Sequence, residues 1–221
     1  MCFSANASFA SSAIIAVVGM ATLARTQHRS EWLFASLPLL FAWHQFNEGM
    51  VWLGLTGDVP IGSLQGWGFA YMLYAQGLLP LLIPLSVWLL EPGRHRQRLI
   101  VPFLLIGGGL TLYQLWALLN YSTDIYVREH SVVYHNPATR HRLIAVLYII
   151  ATCGALFFSG YRYIVGFGVA NLLGLLVVIY FKQYAFTSVW CTYAAIVSVL
   201  IYGHFHLRRN MQAHANRARK A

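Results

Sequence analysis

Five residues of this chain are of types that bind transition metals: Cys2, His44, Glu48, His130 and Cys191. His44 and Glu48 lie in FAWHQFNEGMVWLGL, residues 41–55, a segment apolar at both ends and polar in its middle. Their i, i+4 spacing puts both side chains on one helical face, with Cβ atoms about 6 Å apart. Asn47 joins that face, and Gln45 is rotated away from it. Thiolate, imidazole and carboxylate are ligands for zinc or copper. In a catalytic site three of them would hold the ion and leave one position open. His44 and Glu48 are then the catalytic candidates, with Glu48 either a ligand or the general base. A lipid or another small amphiphile is the natural substrate if the site opens at a membrane surface. The same residues support two other accounts. A polar ladder from Glu48 through His44 towards Gln76 and Asn171 could pass protons, a metal ion or a small solute. Alternatively Cys2 and Cys191 could form a disulfide in a purely structural protein.

The elements that must position these residues follow from composition. Of 221 residues 58% are hydrophobic and 10% charged, with mean hydropathy +0.59. A soluble domain carries about 25% charged residues. Hydrocarbon solvates no ion, so the depletion points to a membrane protein. Seven segments approach the roughly 20 apolar residues of a spanning helix. They are Ala7–Ala24, Trp32–Leu55, Trp67–Leu90, Leu99–Leu119, Leu143–Ser159, Tyr163–Phe181 and Phe186–Tyr202. The expected fold is an all-α, seven-helix bundle forming one integral membrane domain over 1–221. It has an outer loop at 120–142 and a basic tail at 207–221. Residues MCFSANASFA lack a basic n-region, so they do not read as a cleaved secretory signal.

Lysine and arginine set the orientation. Eleven lie at one set of ends (Arg25, Arg29, Arg94, Arg96, Arg98, Arg162, Arg208, Arg209, Arg217, Arg219, Lys220) and four at the other (Arg128, Arg140, Arg142, Lys182). The first set is expected to be cytoplasmic, leaving the N-terminus outside. The basic tail then reads as a stop signal on anionic lipid rather than a nucleic-acid contact. At about 1.5 Å per residue, His44 falls some two-thirds of the way out and Glu48 near the outer boundary. Cys2, His130 and Cys191 share that outer level by topology alone. If Met1 is removed, a free amine beside the Cys2 thiol could also chelate.

Other features read as structure. Cys153 is a packing residue. His204 and His206, at i, i+2, diverge on a helix and read as interfacial, as do Trp and Tyr near span ends. Gly166, Ala170 and Gly174 form a small-residue row suited to a neighbouring helix, within the chain or in a homo-oligomer. Gly107–Gly109 should loosen the fourth span, and Pro80 and Pro84 should bend the third. The outer loop is extended from Ile125 to Tyr134, a small hairpin over the bundle mouth. Its His135 and His141 read as ordinary solvated residues.

The start Met1-Cys2-Phe3-Ser4-Ala5, the segment QFNEGMVW (Gln45–Trp52), His130-Ser131 with Tyr134, and FTSVWC (Phe186–Cys191) resemble an uncharacterised bacterial family of multispanning membrane proteins that begin Met-Cys-Phe-Ser. The resemblance covers the whole chain. It implies a bacterial inner-membrane location, and the family has no established activity to lend. It sets Cys2, Glu48, His130 and Cys191 within the shared stretches. The seven-span zinc hydrolases of the ceramidase kind carry an i, i+4 histidine pair on the last span, which this chain lacks. Retinal is not expected, because the seventh span has no lysine. Nor is haem, because only His44 lies inside a span. No nucleotide is expected.

Overall fold

In the computed structural model, which describes residues 4–128, 131–139, 141–182 and 197–218, the chain is mostly helical. Helix α1 (Ala5–Leu23) begins at Ser4, whose extended backbone lets its hydroxyl accept the Ala7 N–H at 3.3 Å. Helix α2 (Trp32–Thr56) follows a 3-10 turn at Arg29–Glu31. There the buried Glu31 carboxylate accepts the N–H groups of Gln27 and His28 at 2.7 and 3.3 Å. Gly57, at φ 86°, ends α2. The next rod is α3 (Ile61–Met72), a wide π-helical turn (Leu73–Leu78) and α4 (Leu79–Leu90). Helix α5 (Arg94–Asn120) is unbroken. An antiparallel hairpin follows, β1 (Asp124–Arg128) and β2 (Ser131–His135), with Ile125 opposite Tyr134. The chain continues through α6 (Arg142–Ile149), a second π-helical turn (Ile150–Gly154), α7 (Ala155–Phe157), α8 (Arg162–Lys182) and α9 (Val199–Ala218).

Helices therefore occupy the first six expected spans. Most of the seventh, with Lys182's neighbour residues 183–196, lies outside the described residues. Among the described residues, three helical stretches are long and apolar enough to cross a membrane: Ala5–Leu23, Gly62–Leu90 and Arg94–Asn120. Helix α2 is as long, but His44, Gln45, Asn47 and Glu48 dilute its hydropathy. The stretches Arg142–Phe157 and Arg162–Val177 are apolar and shorter.

The prolines act by a route that periodicity does not foretell. In a π-helical turn a carbonyl looks five residues ahead, and for Ala75 that residue is Pro80, which has no N–H. The Tyr148 hydroxyl from α6 donates to the Ala75 carbonyl instead, at 2.6 Å. Likewise Pro84 has no N–H to give the Pro80 carbonyl. Gly107 of α5 approaches that carbonyl so closely that a Cβ there would overlap it, while Gly108 and Gly109 have nothing within 4 Å of theirs. Gly107 thus does not loosen its helix. It allows the α4 and α5 backbones to touch. Tyr148→Phe is expected to cost about 1–3 kcal/mol, the penalty for leaving a buried carbonyl bare. Thermal unfolding in detergent checks this, and an unchanged midpoint would mean that the carbonyl has another donor.

Helices α1 and α2 form a tight antiparallel pair. A Cβ on Gly49 would stand 2.6 Å from the Phe9 ring, and one on Gly19 2.6 Å from Leu39. Ser12 donates to the Ala42 carbonyl at 2.7 Å, and Ser11 to Gln45 Oε1 at 3.3 Å. At the end of the bundle away from the hairpin the interior is apolar, with Phe34, Leu37, Val87, Ile100, Phe167 and Phe205 in one cluster. Polar contacts seal that end. Glu91 accepts from Ser159 Oγ at 2.6 Å and the Gly160 N–H at 2.8 Å. Arg25 donates to His206 Nδ1 at 3.1 Å and lies 4.7 Å from the Tyr202 ring centroid. His204 is buried against Tyr161 rather than interfacial, because α9 turns it inward.

The outward faces are apolar: Ile14 is 68% exposed, Leu105 71% and Leu112 72%. Gly166 is exposed with open space around it, whereas Gly168 packs against Leu156. Cys153 is buried beside Ala75 and Leu175 as a packing residue.

The hairpin is not an ordinary solvated loop. Ile125 fills the notch at Gly68, where a Cβ would overlap it. Val132 packs with Val51, Trp52 and Leu64. Ser131, Val132 and Val133 are consecutive and all buried, so β2 is covered on both faces. His135 is half-buried and His141 exposed.

Candidate functional site

Helix α2 carries the polar segment, and it turns all of it inward. His44, Gln45, Asn47 and Glu48 are each 0% exposed. Helical rotation divides them. Gln45 faces α1 and is held by Ser11. His44 faces α3 and the wide turn, where Tyr71 and Tyr74, three residues apart, share a face. The Tyr71 ring stacks on the imidazole with centroids 3.9 Å apart and planes 26° from parallel. Tyr74 approaches it at 5.0 Å and 46°. On the other side of Tyr71 lies Tyr134 of β2, at 4.2 Å and 7°. The hairpin, α3 and α2 thus contribute one ring each to a stack that ends on His44.

Stacking covers the face of the imidazole and leaves its edge. Neither ring nitrogen of His44 has a hydrogen-bond partner among the described residues, and neither end of the Asn47 amide has one. The same holds for Ser8 Oγ, Trp52 Nε1 and Ser131 Oγ. These groups come from α1, α2 and β2. The three elements meet in one apolar cluster through Ala5, Trp52 and Val132. A buried polar atom left bare costs about 1–3 kcal/mol. A group of them at one end of a bundle is the set that an ion, water or small ligand would satisfy.

Of the five metal-type residues, the structure describes His44 and Glu48, both wholly buried and one helical turn apart. Cys2, His130 and Cys191 lie outside the described residues. Among the described residues no three of His, Cys, Asp and Glu come together as a metal-holding group. The other amides differ from one another. Gln114 is buried with its Oε1 bare among the described residues, as is the Oγ1 of Thr111 one turn before it. Asn171 donates to the Phe167 carbonyl of its own helix at 2.9 Å. Gln76 is half-buried in the wide turn.

Sequence reasoning missed Tyr71, Tyr74, Ser8, Trp52 and Ser131 as companions of His44 and Glu48. Neither Tyr71 nor Tyr74 stands out in the sequence, yet they are 0% and 1% exposed. One signal was available: they sit at i, i+3 inside the third span, where an anchor would sit at its end.

The model of the family of unknown function DUF6629 matches residues 1–218. No curated protein and no solved structure matches the chain.

Proposed function

We propose, for a chain that belongs to the family of unknown function DUF6629, a multispanning membrane protein with an outward-facing polar pocket that holds zinc or copper. His44 and Glu48 form its inner wall, and Cys2, His130 and Cys191 complete its ligands. The observation that carries the reading is His44: a fully buried imidazole with both nitrogens bare among the described residues, one turn from a fully buried carboxylate. Such an imidazole is costly in an apolar bundle unless something binds it. Neutral imidazole and carboxylate suit zinc or copper. With one coordination position open, Glu48 would serve as ligand or as general base on a bound water, acting on a lipid or small amphiphile.

Membrane embedding is supported by the inversion of polarity. Leu105 and Leu112 face outward while Glu48 and Asn47 face inward, the reverse of a protein folded in water. The seven-span topology with the hairpin outside, the bacterial inner membrane, anionic lipid at the basic tail and a homo-oligomer through Gly166, Ala170 and Gly174 belong to the same reading. A transporter is the second reading, supported by Thr111 Oγ1 and Gln114 Oε1, buried oxygens that meet no partner among the described residues. The apolar cluster of Phe34, Leu37 and Val87 beyond them favours a pocket closed at its base.

Elemental analysis and thiol counting on one detergent-purified sample test the proposal. About one equivalent of zinc or copper with three free thiols after denaturation and chelation is expected. Metal below about a tenth of an equivalent, with one free thiol, would replace it by a Cys2–Cys191 staple.

A further inference from the structure

A buried metal-binding histidine is normally oriented by donating its second N–H to a carboxylate or carbonyl. His44 has no such bond among the described residues. We propose that Tyr71 and Tyr134 do this work by stacking, so that the docking of the outer hairpin sets the plane of the His44 ring. This rests on the pocket reading above and names the residues that regulate that site.

The geometry supports a mechanical link. Tyr134 lies almost parallel to Tyr71 at 4.2 Å, and Tyr71 lies over His44 at 3.9 Å. Tyr74, at 5.0 Å and 46°, limits the imidazole from a second direction. The imidazole is thus confined by rings while the edge bearing Nδ1 and Nε2 meets no partner among the described residues. Stacked aromatic pairs contribute beyond their buried area and have preferred geometry. Tyr134 reaches Tyr71 only because β2 is seated, with Ile125 at Gly68 and Val132 among Val51, Trp52 and Leu64. Lifting the hairpin removes the outer ring of the stack and uncovers that face of Tyr71. The hairpin then both covers the pocket and holds His44 in its ligating orientation. Tyr71 and Tyr134 are positioning residues, since neither need touch the bound ion.

The test compares Tyr134→Ala with Tyr134→Phe, which keeps the stack and loses only the hydroxyl. Val132→Ala is the control, since it loosens the same strand without a stacked ring. Two measurements are made on full-length protein in detergent. The first is the rate of hydrogen–deuterium exchange at the His44 imidazole C2 carbon, read by mass spectrometry without metal. Tyr134→Ala is expected to exchange at least about tenfold faster than Val132→Ala at matched thermal midpoint, with Tyr134→Phe at the wild-type rate. The second is the visible spectrum of the cobalt(II)-loaded protein, whose bands should shift in Tyr134→Ala and return in Tyr134→Phe. Equal exchange in Tyr134→Ala and Val132→Ala would overturn the proposal, as would unchanged cobalt bands. A wild-type protein that takes up no cobalt removes the pocket reading, and the exchange rates then decide the stack alone.

Discussion

Gly107→Ala is expected to lower the thermal midpoint in detergent by about 10 °C, whereas Gly108→Ala leaves it within about 2 °C. The two substitutions add the same methyl group to adjacent positions of α5. At Gly107 that methyl overlaps the Pro80 carbonyl and comes within 3.3 Å of the Leu81 Cα. The obstacle is backbone, so no side-chain rotation relieves it, and α5 must move away from α4. Overpacking of this kind costs about 1–3 kcal/mol, occasionally more. With about 2–4 °C per kcal/mol for a chain of this size, the upper end gives the stated shift. Gly108 has open space around its Cβ, and alanine there is the better helix former. Equal midpoints for the two variants would show that the α4–α5 contact is not close-packed at Pro80.

The second large effect concerns the pocket. Glu48→Gln keeps the shape but removes the charge and turns one acceptor oxygen into a donor NH2, and His44→Ala removes the imidazole. Each is expected to weaken metal binding at least about 100-fold, beyond what loss of an outer-shell partner costs. Titration with a competing chelator measures it. Stability should move the other way for Glu48→Gln in the metal-free protein, because a neutral amide is cheaper to bury than a carboxylate. A carboxylate that served only to lock neighbouring helices would give the opposite pattern: a lower midpoint and no change in metal content. The two readings of Glu48 therefore separate on the sign of one measurement.

Much of the architecture was legible in the order of residues. Apolar length is a local property, and it identified helices at α1, α2, the rod over Trp67–Leu90, α5, the Arg142–Phe157 stretch and α8. The Val, Ile and Tyr of Ile125–Tyr134 identified the hairpin. The HQFNE segment stood out because its residue types conflict with the apolar helix that carries them. What was not legible depends on distances between elements. Pro80 and Pro84 announced a bend, but a π-helical turn relieved by Tyr148 requires a second helix at the right height. Gly107 looked like a weak point, since nothing local shows that the Pro80 carbonyl lies against it. Two-sided burial of β2 could not be read from its alternation, because both faces carry residues that accept burial.

The candidate site divides in the same way. The sequence alone determined that His44 and Glu48 share a helical face, because residues four apart lie one turn from each other, while the structure decided that this face is buried. Only the tertiary structure decided that His44 is held by stacked rings from two other elements. It also decided that its nitrogens meet no partner among the described residues. Stacking and hydrogen bonding act over 3–5 Å between residues up to about 90 positions apart in the chain, so they follow from how the helices and hairpin pack.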